Sequence, residues 1–165
     1  MINEVMKYLY ESLPQLIAAF LGTLGFAFVF KMKGRHLLFV SVSGFLAYGI
    51  YIIAIFIGRT EFYSAFIAVS FVALLSEIFA RILKAPTVIF LTVILIPVVP
   101  GSGLYYSMRY LLLRDFLNFF QSFKGVCSIS VGITCGITVV SVTVKLLMTV
   151  KKTLSHSKFA KGAFR

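Results

Sequence analysis

Few residues in this chain have the type and spacing to do chemistry. Glu77 lies in an otherwise apolar stretch, four residues before Arg81. An acid inside a membrane-crossing helix costs about 2.5–3.5 kcal/mol and normally faces a cavity, a partner or a proton path. Acid-first spacing of four is also the favoured order for an ion pair along one helix. Both readings of Glu77 stay open. The second signal is Ile96-Pro97-Val98-Val99-Pro100-Gly101-Ser102-Gly103. Each proline deletes a backbone donor and frees a carbonyl four residues earlier, at Val93 and Ile96. Gly101 and Gly103 permit non-helical dihedrals. Backbone broken in this way cannot face lipid, so it is buried in protein or lines a wet cavity. Discontinuous helices of transporters do the latter, and Tyr105, Tyr106 and Ser107 would supply hydroxyls. The competing reading is a kink or loop at the outer surface; the cavity is the expectation carried forward.

Nothing resembles a catalytic constellation. Cys127 and Cys135 stand eight residues apart on one expected helix, about 12 Å along its axis. That is too far for a disulfide, and they read as packing residues. His36 and His156 lie in basic segments without a carboxylate or thiol at ligand spacing, and no serine sits in a nucleophile elbow. Five acids in the whole chain are too few for a metal-dependent enzyme acting on lipid phosphates. No catalytic residue, metal or cofactor is expected.

These residues must be positioned by membrane helices. Of the 165 residues, 60% are hydrophobic and 13% charged, against about 25% charged in a soluble domain. Mean hydropathy is +1.01, and a chain this short has too little interior to hide so much apolar surface. A helix crosses the membrane with about 20 apolar residues. Runs at 13–30, 37–58, 62–80, 86–106 and 125–150 meet that need, the fourth only when extended through its Pro/Gly break. Between the fourth and fifth, 108–124 mixes Arg109, Arg114, Asp115, Asn118 and Gln121 with Leu and Phe, as in a helix lying in the interface. The expected fold is therefore all-α and polytopic, with about five transmembrane helices, a broken fourth and an interfacial helix before the fifth. Residues 1–150 form one membrane domain and 151–165 a basic tail, with no cleavable signal peptide and no soluble module.

The net charge of +11 would suggest nucleic acid in a soluble protein. Here five spans place eleven of the sixteen bases on one side, with Glu77 as the only acid there. By the positive-inside rule that side is cytoplasmic, so the N-terminus lies outside and the C-terminus inside. Nucleic acid is not an expected partner; the bilayer is. Small residues at four-residue spacing (Ala18 and Gly22, Ala54 and Gly58, and Ser128, Gly132 and Gly136) let helices approach closely. Such faces serve packing within the chain, against a second copy or against another subunit.

With these features in place, Ser43-Gly44-Phe45 with Tyr48-Gly49, Ser76-Glu77-Ile78-Phe79-Ala80-Arg81 with Lys84-Ala85-Pro86-Thr87, and Ile96-Pro97-Val98-Val99-Pro100-Gly101-Ser102-Gly103-Leu104-Tyr105 resemble the threonine/serine exporter family. The likeness is to its small C-terminal membrane half, which in many bacteria is a separate protein. It covers roughly 16–147. The resemblance implies a bacterial inner-membrane subunit acting with a larger membrane subunit of the same family. It also implies proton-motive-force-dependent export of small polar metabolites such as threonine and serine, or dicarboxylates such as succinate. The family positions map onto Glu77, Arg81, Pro97, Pro100 and Gly101, and Gly44 joins the helix-packing set. A non-transporting subunit that stabilises a larger partner is the alternative from another class.

Overall fold

The structure is a computed structural model describing residues 10–32 and 34–162; of Arg35 and of 151–162 it describes the backbone. All its elements are helical: α1 (Leu13–Val29), α2 (Arg35–Phe56), α3 (Glu61–Leu83), α4 (Thr87–Leu95), a 3₁₀ turn (Ile96–Val98), α5 (Gly101–Leu112) and α6 (Phe116–Gly162). His36–Phe56, Glu61–Leu83 and Phe116–Val150 are each long and apolar enough to cross a membrane. Thr87–Val98 and Gly101–Leu112 pass that test together, bent by 55°. The apolar α1 has 17 residues, about 25 Å of helix and at the short end of what spans a bilayer. The protein is a polytopic all-α membrane protein whose surface carries many large apolar side chains, Ile82, Leu112 and Leu117 among them.

The connections follow one local rule. One or two residues past the ends of α1, α2, α3 and α5 the chain turns left-handed, at Lys31 (φ 55), Gly58 (φ 80), Lys84 (φ 50) and Arg114 (φ 57). Each time the next N–H closes back onto a carbonyl five residues earlier: Met32 to Ala27, Arg59 to Ala54, Ala85 to Ala80 and Asp115 to Tyr110. This closure satisfies carbonyls that the helix end leaves without partners. Only one of the four positions is glycine.

α1 packs on α2, α2 on α3, and α3 on both α4 and α6, while α5 packs on α6. α3 is the central helix. Its small residues Ala68, Val69 and Val72 are buried in one core with Val40, Val93 and Ile94, and Ala65 and Ala73 of the same helix are also buried. Hydroxyls inside the helices are hidden locally: Thr23, Ser41, Ser43 and Ser76 each donate to the carbonyl four residues back. That pattern satisfies a polar side chain where no water is present.

The segment 108–124 is not a helix of its own, which corrects the expected interfacial helix. Its first part ends α5, and its second part begins α6. The break falls at Leu113–Asp115, where Arg114 turns left-handed and Asp115 caps the new helix. Asp115 Oδ1 accepts the Asn118 N–H at 3.3 Å, and Oδ2 accepts the Asn118 amide at 2.6 Å. From Phe116 onward no proline interrupts the helix. Its apolar part alone, 35 residues, is about 52 Å long.

α3 and α6 run parallel, in contact through glycine. A Cβ added at Gly132 would lie 2.6 Å from the Phe62 carbonyl oxygen and 3.1 Å from Ala65 Cβ. One at Gly136 would lie 3.0 Å from the Phe66 carbonyl and 3.3 Å from Val69 Cβ. Gly44 similarly lies against Thr23 of α1, while Ser128 is half-buried on the α6 face that carries both glycines. Gly22 faces open space, and Gly58 ends a helix.

Candidate functional site

The break between α4 and α5 arises at Val99 and Pro100. Val99 is extended (ψ 131), and Pro100 (ψ 58) precedes the first residue of α5. The Ile96 carbonyl, which Pro100 would leave without its helical partner, accepts the Val99 N–H at 3.2 Å. Gly101 donates to the Val99 carbonyl at 2.8 Å, and Leu104 to Pro100 at 3.1 Å. Gly101 and Gly103 are both helical and do not use the non-helical freedom that glycine permits: the positive-φ glycines among the described residues are Gly34 and Gly58. Gly103 supplies room instead. A Cβ there would lie 2.8 Å from Val126 Cγ2, so the glycine lets α5 lie close on α6.

The bend opens a cleft of about 650 Å³. Pro97, Pro100, Ser102, Gly103 and Tyr106 line it, whereas Gly101 and Tyr105 do not. Tyr105 is 65% exposed and meets Tyr106 edge to face at 5.4 Å. Tyr106 and Tyr110, one turn apart on α5, stack at 6.4 Å. Across the cleft Tyr48 and Tyr51 of α2 stack at 6.0 Å. The Tyr48 hydroxyl donates to Gln15 Oε1 on α1 at 3.3 Å.

The first turns of α6 provide the remaining polar wall, Asn118, Gln121 and Ser122, with Gly125 below them. Glu61, in the first turn of α3, completes it. A Cβ added at Gly125 would lie 2.8 Å from Glu61 Oε2, so the carboxylate lies across the α6 backbone where a side chain would otherwise be. Apart from tyrosines, Glu61 is the one ionisable side chain among those that line the cleft.

Glu77 and Arg81 are elsewhere. They line a separate groove of about 220 Å³ with Val144, Leu147 and Met148 of α6. Glu77 lies sixteen residues along α3 from Glu61, about 24 Å at 1.5 Å per residue. Arg81 Nη2 donates to Glu77 Oε2 at 3.4 Å, with side-chain exposures of 50% and 17%. The structure thus brings the Pro/Gly break and Tyr106 together and leaves the acid–base pair at the other end of α3.

Sequence reasoning passed over Glu61, Tyr51 and the polar face of α6, and took Tyr48 only as part of the family resemblance. Asn118, Gln121, Ser122 and Gly125 recur at intervals of three, four and seven from the first, which is one face of a helix. Reading 108–124 as a unit hid that periodicity. Glu61 looked like no more than the charge at a span's edge.

No curated protein and no solved structure matches the chain. The family model described as Threonine/Serine exporter, ThrE, does match it, over residues 15–143. That stretch runs from α1 through the broken helix and its cleft to the α6 face packed on α3, and the chain belongs to this family of threonine/serine exporter-type membrane transporters.

Proposed function

We propose that the chain is the small membrane subunit of a split, proton-motive-force-driven exporter of small polar metabolites such as threonine and serine, acting with a larger subunit of the same family. The observation that carries this reading is the polar cleft at the α4–α5 bend, in a chain of this family. The first turn of α5 offers backbone N–H groups without helical acceptors, at the positive end of the helix dipole. Ser102 and Gly103 of that turn line the cleft. A substrate carboxylate fits there, as anions do at the half-helix ends of transporters.

In this reading the protein lies in a bacterial inner membrane, N-terminus outside and C-terminus inside, and the cleft opens at the outer end, where α3 and α6 begin. Glu77 and Arg81 stand at the cytoplasmic end of α3, where protonation of Glu77 would release Arg81 and open that end. The Gly132 and Gly136 face is used within the chain, between α3 and α6. The larger partner therefore docks elsewhere and closes the open side of the cleft.

The test is reconstitution of this chain alone, and with its larger partner, in vesicles bearing a pH gradient. Threonine or serine efflux is expected from the pair and not from either alone. A pair that inserts correctly and moves neither amino acid would refute the export reading. Efflux of succinate in their place would assign the dicarboxylate alternative.

A further inference from the structure

The cleft is electrically one-sided, and that asymmetry bears on what it can hold. Glu61 is its only acid, no lysine, arginine or histidine lines it, and four tyrosine rings do. Among the described residues the Glu61 carboxylate has neither an ion-pair nor a hydrogen-bond partner. Glu61 is exposed at the cleft, and a carboxylate there with no counter-charge beside it attracts a cation by simple Coulomb interaction. The faces of tyrosine rings also attract cations.

The position of Glu61 is specifically accommodated. Both carboxylate oxygens crowd the point where a Cβ would stand on Gly125, at 2.8 and 3.4 Å. Asn118, Gln121 and Ser122 continue the same wall with neutral donors and acceptors. Ser102 and Gly103 also line the cleft, in the first turn of α5, whose N–H groups lack helical acceptors.

We propose that Glu61, set over Gly125 in a cleft that four tyrosines line, recognises the ammonium group of the substrate and makes that group a requirement for binding in the cleft. The inference rests on reading the cleft as the substrate site. A zwitterion would lie with its ammonium at Glu61 and its carboxylate toward the start of α5. A dicarboxylate would bring a second negative charge against Glu61 with no cation to offset it, and the cleft rejects it.

Two ligands isolate the ammonium: L-threonine and 3-hydroxybutyrate, which keeps the carboxylate and hydroxyl and lacks the amine. Binding of each to the full chain in lipid nanodiscs is measured by equilibrium titration, with succinate as a third ligand. The wild type should prefer threonine over both. Glu61→Gln should weaken threonine roughly ten- to hundredfold, the range of one charge-assisted hydrogen bond, and leave 3-hydroxybutyrate unchanged. Glu61→Asp should retain part of the preference. Gly125→Ala should weaken threonine without unfolding the chain, because the added methyl meets only the flexible end of Glu61.

Equal affinity of the wild type for threonine and 3-hydroxybutyrate would overturn the proposal. So would no binding of threonine, a preference for succinate, or a threonine preference untouched in Glu61→Gln. Vesicle flux separates the two readings. Ammonium-selective binding lost in Glu61→Gln, together with absent flux, keeps Glu61 in its role and removes export.

Discussion

Replacing Gly132 by Ala tests the packing on which the cleft depends. The added Cβ would stand 2.6 Å from the Phe62 carbonyl oxygen, 3.1 Å from Ala65 Cβ and 3.3 Å from the Phe66 nitrogen. Two of these three are backbone atoms, and none is the far end of a flexible side chain. Ordinary contact begins near 3.4 Å, so α3 must move away by about 0.8 Å, and gaps of that size forfeit a quarter to a half of each affected dispersion contact. Overpacking of this kind costs about 1–3 kcal/mol. Gly136→Ala meets its nearest atom at 3.0 Å and should cost less. Gly25→Ala meets nothing within 4 Å and should be neutral, or stabilising by up to about 1 kcal/mol through helix propensity. The assay is reversible unfolding in mixed micelles titrated with dodecyl sulfate, followed by helical circular dichroism. The expected order of stability is Gly25→Ala, then Gly136→Ala, then Gly132→Ala. If Gly132→Ala unfolds together with Gly25→Ala, the two helices are not held at glycine contact and the reasoning fails. Because Gly125 lies two turns earlier on the same face, Gly132→Ala should also weaken substrate binding in the cleft.

Three further outcomes follow from the geometry. Glu77→Gln should abolish pH-driven efflux while changing stability by less than about 0.5 kcal/mol, since a surface pair four apart contributes only a few tenths; full efflux across a pH range would remove Glu77 from the mechanism. Pro97→Ala with Pro100→Ala should restore backbone donors, reduce the 55° bend between Thr87–Val98 and Gly101–Leu112 and eliminate export. Spin labels at the exposed Val88 and Met108 would read the straightening, and normal export from a straightened helix would sink the role given to the break. Asp115→Ala removes the cap that accepts the Asn118 N–H at 3.3 Å and should destabilise the start of α6 by about 1 kcal/mol. Amide exchange at Phe116–Gln121 measures that loss directly, and unchanged protection would show that the cap contributes nothing.

Much of this protein is written in local sequence. A chain 60% hydrophobic with few charges has nowhere but a bilayer to fold, and the apolar run lengths mark the spans. Pro97 and Pro100 break a helix wherever they occur, because the missing donors and the ring clash belong to the residues themselves. Close approach is different, because it depends on which helix a glycine meets. Ala18 and Gly22 repeat the spacing of Gly132 and Gly136, yet Gly22 faces open space while Gly132 lies against the Phe62 carbonyl. The same holds for the site. Glu77 is conspicuous in sequence as an acid among apolar neighbours, but α3 carries it about 24 Å from that helix's other acid, Glu61. Glu61 is inconspicuous at a span's edge, and only the parallel register of α3 and α6 sets its carboxylate over Gly125, facing the bend of a helix forty residues further on. Composition and proline determined that a broken membrane helix exists. The tertiary register decided which charge faces it, because a contact between distant segments is fixed by packing and not by the chain around either one.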